Sequence, residues 1–292
     1  MAVIELDNEQ PRRNTLNELT TFLQRHPGVL IGGILLILIV VMAVLAPYLG
    51  TIDPQELSPI RRLRPPNAEN WFGTDQLGRD VYSRVLFGTR ISLIVGFTVA
   101  VLSTAIGLFI GLVVGFSRWI DTVVMRVMDG LMAIPPVLLA IALMALTKAN
   151  IQNVIVAITI AEIPRMTRLV RSVALNLRGQ AFVEAARAVG TSNWRILWRH
   201  IVPNTLAPVI VQATYVGASA IIIEAILSFL GAGTPPTTPS WGNIIAEGRT
   251  LFLVAAYLIL IPSAFLSVTV LAINLLGDGF RDALDPRQAS AL

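Results

Sequence analysis

Between Pro27 and Ile52 the chain carries not one charged side chain, and the centre of this stretch reads VLIGGILLILIVVMAVLA. A helix needs about 20 apolar residues to cross the hydrocarbon core of a bilayer, so this run predicts a first spanning helix. Pro47 follows Ala46 where a signal-peptide cleavage site needs an ordinary residue, which predicts an uncleaved anchor. Further uncharged runs cover Ile91 to Ser117 and Gly130 to Thr147, the second entered through Pro135 and Pro136, which should distort its first turn. Ala149 to Ala161 is shorter and spans only if its helix continues past Glu162 toward the headgroups. Leu206 to about Leu230 makes a fifth span with Glu224 inside it, and Thr250 to Gly277 a sixth, interrupted by Pro262. An all-α integral membrane protein with six transmembrane helices is expected. Composition agrees, since charged residues make up 14% of the chain against roughly 25% in soluble domains.

Arginine and lysine gather on the cytoplasmic side of membrane proteins. The segment from Glu162 to Thr205 holds Arg165, Arg168, Arg171, Arg178, Arg187, Arg195 and Arg199 against Glu162 and Glu184, so it should be cytoplasmic. Counting spans from there puts both termini inside. The expected layout is a cytoplasmic tail over 1–26, a first transmembrane helix over 27–49 and an extracytoplasmic segment over 50–90. A five-helix core over 91–277, including a cytoplasmic loop at 165–204, and a cytoplasmic tail over 278–292 complete it. Residues 53–90 also hold six arginines, which pulls against an outside location, although five acidic residues are interleaved.

Several chemistries are excluded early. The chain has no cysteine and only His26 and His200, so thiolate and histidine metal centres are not expected. The sole lysine, Lys148, is followed by alanine, whereas a phosphate-binding loop needs G-x-x-x-x-G-K-[ST]. No nucleotide or other cofactor is therefore expected in this chain. An intramembrane hydrolase needs a nucleophile with a base in reach, and both histidines fall near cytoplasmic helix ends, so no catalytic residue is assigned. The basic residues flank spans and do not form a nucleic-acid surface. An ion-coupled secondary transporter would offer charged residues inside spans, and only Glu224 qualifies.

The central loop has its own pattern. Met166, Leu169, Val170, Val173 and Leu177 follow helical spacing, as do Phe182, Ala185, Ala186 and Val189. Gly190 is placed to end that helix, Thr191 or Ser192 to cap the next, and Trp194, Leu197, Trp198 and Ile201 form the next apolar stripe before Pro203 ends the unit. A compact basic helical hairpin at the membrane face admits three readings: a connector lying on the headgroups, a DNA-binding helix-turn-helix, or a knob that docks into a cytoplasmic partner. Both ends of the unit enter the bilayer after short runs, which sets the DNA reading aside.

Glu184-Ala185-Ala186, three residues, Gly190 and then Pro203 resembles the EAA loop of ABC-importer permease subunits, with His200 where isoleucine is usual and Val202 in place of leucine. The blocks FGTDQLGRDVYSRVLFGTRISL (Phe72–Leu93), EAILSFLG (Glu224–Gly231), PPTTPSWG (Pro235–Gly242) and NLLGDGFRDALDPR (Asn274–Arg287) are similar to the C-type subunit of the dipeptide/oligopeptide/nickel permease group. The resemblance runs from about residue 20 to 287 and implies an ATP-driven importer working by alternating access in a bacterial inner membrane. It implies as partners a B-type second permease subunit, two ABC ATPase subunits that bind ATP and Mg, and an extracytoplasmic substrate-binding protein, besides membrane lipid. It also implies that Glu184, Ala185, Ala186, Arg187, Gly190, Arg195 and Pro203 couple the chain to the ATPase. Peptides are the usual cargo of the group, and nickel chelates, opines and glutathione are carried by relatives. Glu224, about 27 Å up its helix from Leu206 at 1.5 Å per residue, is either a hydrogen bond between helices, a gate or pathway residue, or a proton relay. Asp75, Arg79, Asp80 and Arg84 are either ion pairs that order the outer segment or contacts for the binding protein.

Overall fold

The computed structural model describes residues 26–116 and 118–284. The expected tail before His26, Ser117 and residues 285–292 lie outside them. The described residues are helical throughout apart from loops and one isolated β-bridge, Thr74 to Asp80. In chain order the helices are α1 (Pro27–Leu45), α2 (Val81–Phe116), α3 (Arg118–Met132), α4 (Pro136–Met144), α5 (Ile151–Arg178), α6 (Ala181–Ala188), α7 (Asn193–Ile196), α8 (Val202–Phe229), α9 (Trp241–Gly248) and α10 (Tyr257–Leu284). A π-helical turn, Leu197–Ile201, joins α7 to α8.

Four helical stretches are long and apolar enough to cross a membrane: Pro27–Tyr48, Val81–Phe116, Asn193–Phe229 and Tyr257–Leu284. The pair α3 and α4, bent by 88°, makes a fifth if it is one span. The expected count of six is thus met only in part. The run from Gly130 to Thr147 is broken outright at Ala133–Pro135, because proline removes an N–H and pushes the preceding residue out of the helical region. α5 is long, at 28 residues, but Glu162, Arg165, Arg168 and Arg171 confine its uncharged part to the first turns. α2 begins at Val81, ahead of the uncharged run that starts at Ile91, because Asp80 caps it: its carboxylate accepts from Ser83 N at 2.8 Å and from the Ser83 hydroxyl at 2.7 Å. Pro262 does not interrupt α10, and Pro164 and Pro208 likewise lie inside α5 and α8. Membrane helices tolerate such prolines because side chains, water or local backbone adjustment can satisfy the groups they free.

The core is built on small residues. Gly107, Gly111 and Gly115 form a ladder on α2 against Met166, Val170 and Ala174 of α5. A Cβ on Gly107 or Gly111 would stand 2.6 Å from the Cβ of Met166 or Val170. Without a hydrophobic force between helices in lipid, close van der Waals approach of this kind holds them together. α1 packs on α10 in the same way, with Gly32 facing Ala272 and Leu276. One apolar cluster joins α2, α4, α5, α6, α7 and α8. A second, around Trp241, Ile244 and Leu258, closes the end at which α2 begins.

Candidate functional site

α6, α7 and the π-turn form the expected hairpin. Gly190 has φ +81°, and its N–H donates to Arg187 O (2.9 Å) while Thr191 N donates to Ala186 O (3.0 Å). These two bonds make a Schellman cap, which needs a left-handed residue at that position. A Cβ on Gly190 would meet nothing within 4 Å, so the requirement is backbone conformation and not space. Ser192 takes the N-cap position of α7 but makes no side-chain capping bond. Pro203 does not end the unit. The π-turn carries the helix through it, so Asn193–Phe229 is one continuous stretch of 37 residues.

The buried face of the hairpin is Val183, Ile196 and Ile201, all at 0% exposure, with Ala186 and Leu197 partly covered. Glu184, Ala185, Arg187, Gly190, Arg195 and Pro203 are exposed. Four members of the apolar stripes face outward: Phe182 (43% exposed), Val189 (81%), Trp194 (69%) and Trp198 (53%). Trp194 and Trp198 stack edge to face at 5.5 Å, and Phe182 lies 6.1 Å from the His200 ring. The hairpin therefore shows a preformed aromatic tip with cations beside it, and Arg187 and Arg118 come close enough to Arg178 to repel its charge. Ion pairs tie α5, which leads into it, to α3: Arg171 to Asp121 at 2.5 and 2.7 Å, and Arg168 to Asp129 at 2.5 Å. Arg178 donates to Gly115 O and lies over the Phe116 ring.

At the other end of α8, Glu224 is fully buried. Ser228 donates to its Oε1 at 2.8 Å, and Ser92 of α2 lies 3.4 Å from Oε2. Ser228 continues to Thr234, and Thr234 to Ser240, at 3.3 Å each, while Asn243 Nδ2 donates to Thr234 and to the carbonyls of Pro235 and Thr238. This places Glu224 at the foot of a polar cluster that closes the loop 231–240 over α2 and α8.

Asp75, Arg79, Asp80 and Arg84 are 1–7% exposed, so they are withdrawn from any surface a binding protein could touch in this conformation. Arg79 and Arg84 each reach both Asp75 (2.6 and 2.5 Å) and Glu247 of α9 (2.5 and 2.6 Å). Asp80 caps α2 and accepts from Asn70 Nδ2 at 3.0 Å. The physical reason is balance: two guanidinium groups buried near the bilayer require two carboxylates. Sequence reasoning missed Glu247, whose partner Arg84 is 163 positions away, and Glu162, buried on α5, which accepts from Ser219 of α8 at 3.1 Å. Asp121 and Asp129 were missed as well, although their spacing on α3 and that of Arg168 and Arg171 on α5 were visible signals. Among the described residues no group of three or more His, Asp and Glu could hold a metal ion.

Comparison with known proteins agrees with this geometry. Residues 84–290 match the family described as "Binding-protein-dependent transport system inner membrane component", and residues 22–66 match "N-terminal TM domain of oligopeptide transport permease C". A probable peptide ABC transporter permease of Sinorhizobium fredii is 52% identical over 90% of each chain. A dipeptide transport system permease of Alkalihalophilus pseudofirmus is 40% identical over 92% of this chain and 88% of its own. A glutathione transport system permease of Pectobacterium atrosepticum is 41% identical over 92% and 90%. The solved MetNI methionine ABC transporter shares the fold at a TM-score of 0.59 and 20% identity, over 69% of this chain and 97% of that one. With family matches across nearly all the described residues and relatives of this identity, the chain belongs to the binding-protein-dependent inner membrane transport components, as a C-type ABC-importer permease subunit.

Proposed function

We propose that the chain forms half of the translocation pathway of an ATP-driven importer of di- and oligopeptides, and that the hairpin 181–201 is its ATPase-docking element. The exposed aromatic tip on a rigid Schellman turn, continuous with the 37-residue helix Asn193–Phe229, carries this reading. Aromatic and arginine side chains dominate binding energy at protein interfaces, and Trp194, Trp198, Phe182, Arg187 and Arg195 supply both types here. The partners are a B-type permease, two ABC ATPase subunits and an extracytoplasmic binding protein. ATP and Mg, held by the ATPase subunits, supply the free energy. This chain receives the motion: ATPase closure shifts the hairpin and tilts α8, and the cavity between the two permeases opens first to one side and then to the other. Ala185 and Ala186 permit close backbone approach to the ATPase groove, Glu184 and Arg187 or Arg195 make polar contacts at the joint, Gly190 fixes the bend, and Pro203 sits where the hairpin meets the span. Glu224 serves the gate as the brace that ties the 231–240 loop to α2 and α8. The hairpin and both termini face the cytoplasm in a bacterial inner membrane. The peptide assignment draws support from the names of the S. fredii and A. pseudofirmus relatives, and the glutathione permease at 41% identity supports glutathione as the second reading.

The test is to tag the C-terminus, extract native membranes in mild detergent, and identify what co-purifies. A second permease and ATPases should be recovered with the wild-type chain and lost with Gly190→Asp. Peptides should stimulate ATP hydrolysis by the recovered complex, and glutathione should do so if the second reading holds. Recovery of the chain by itself, transporting in liposomes without ATP, would overturn the proposal.

A further inference from the structure

α1 packs chiefly along α10, meets the start of α2 at Arg90, and leaves an open cleft of about 960 Å³ against α2 and α8. Its walls are apolar almost throughout, with Val40 of α1, Ile94, Phe97 and Val101 of α2, and Ile210 of α8 among them. Arg90 is the one charged residue that lines it. The guanidinium donates Nε to Ala43 O (2.5 Å) and Nη2 to Val44 O (2.9 Å), and lies 5.2 Å from the Phe87 ring. No carboxylate pairs with it among the described residues, whereas Arg79, Arg84, Arg168 and Arg171 each have one. Further along the same wall, the Thr104 hydroxyl is buried without a hydrogen-bond partner.

Position and lining decide the occupant. Arg90 is the last charged residue before the uncharged run that starts at Ile91. α2 is about 54 Å long at 1.5 Å per residue, against a hydrocarbon core of roughly 30 Å, so a centred α2 puts Arg90, about 14 Å from its start, at the boundary between headgroups and acyl chains. A zwitterionic peptide would need several polar partners, and the lining provides only Arg90 and two threonine hydroxyls. Apolar walls at this depth also exclude ordered water. We propose that the cleft seats the acyl chains of an anionic phospholipid whose phosphate lies on Arg90, so that a bound lipid completes the packing of α1 against α2 and α8.

The test uses the full complex, purified in detergent, exchanged into nanodiscs of phosphatidylglycerol or phosphatidylcholine, re-extracted, and analysed by native mass spectrometry. Wild type should retain phosphatidylglycerol on this chain in preference to phosphatidylcholine. Arg90→Gln should retain about fivefold less, as expected for loss of one cation near an anionic headgroup, and Arg90→Lys should recover most of it. Arg90 also holds α1 through the Ala43 and Val44 carbonyls, so a second variant guards against misfolding. Ala105→Phe, at an exposed position in the cleft wall, fills the space without touching those bonds and should abolish retention. Equal retention of both lipids by wild type, retention unchanged in Ala105→Phe, or a partner helix occupying the cleft in the assembled complex would each overturn the proposal.

Discussion

Arg84 shows why single residues matter so much here. Its side chain is 1% exposed and its charge is met by Asp75 and Glu247 together, as is that of Arg79. Removing one member of such a group strands a buried charge, which costs about 3–5 kcal/mol, whereas the intact pair adds little over an apolar substitute. Glu247→Gln is therefore expected to lower the thermal midpoint of the purified complex by the equivalent of about 3 kcal/mol, read by temperature-dependent size exclusion. An unchanged midpoint would mean that Asp75 satisfies both arginines by itself. Gly190 is the contrasting case, since an added Cβ would meet nothing and a substitution there acts on the bend through its φ of +81°.

At the scale of elements, the α2–α5 contact depends on absent side chains. Gly111→Val is expected to force the two helices apart and destabilise the bundle by about 1–3 kcal/mol, the usual cost of overpacking. Val170→Gly in the same chain, by removing the opposing Cβ, should return part of the loss in the same thermal assay. Full stability of the single variant would show that α5 can slide without cost. Four of the six expected spans and the hairpin were legible in the sequence because uncharged runs and 3.6-residue spacing are local signals. The start of α2 was not, because Arg84 and Arg90 read as loop charges until Asp75, Glu247 and the carbonyls of α1 are brought beside them. The break between α3 and α4 was half legible: Pro135 and Pro136 were noticed, but an 88° bend depends on what packs around them. In the hairpin, periodicity found apolar stripes but carried no information on which of their members the bundle covers. Phe182, Val189, Trp194 and Trp198 share their helical spacing with Ile201, and only the fold shows that Ile201 is buried with Val183 and Ile196 while the other four turn outward.

The whole molecule places its two polar assemblies at opposite ends of one helix, the hairpin before α8 and the Glu224 cluster near its far end. Pro208 lies between them. A proline in a helix interior costs about 3 kcal/mol in water, so Pro208→Ala is expected to raise the thermal midpoint. If α8 flexes at this point during transport, the same variant lowers the number of peptides moved per ATP in proteoliposomes. A variant that is more stable and transports as well as wild type would show that α8 moves as a rigid rod.

The rigid-rod case, with α8 turning about Pro208, has a geometric consequence. The arm from Asn193 to Pro208 is about 22 Å and the arm from Pro208 to Phe229 about 32 Å, at 1.5 Å per residue. The helix is then an unequal-armed lever, and a sideways push of about 3 Å at Asn193 becomes roughly 4 Å at Phe229. The gain in displacement is matched by a loss in force, so the far end must be lightly held to move. A cluster of hydroxyl hydrogen bonds, several of them near 3.3 Å, is a softer attachment than the ion quartet beside it.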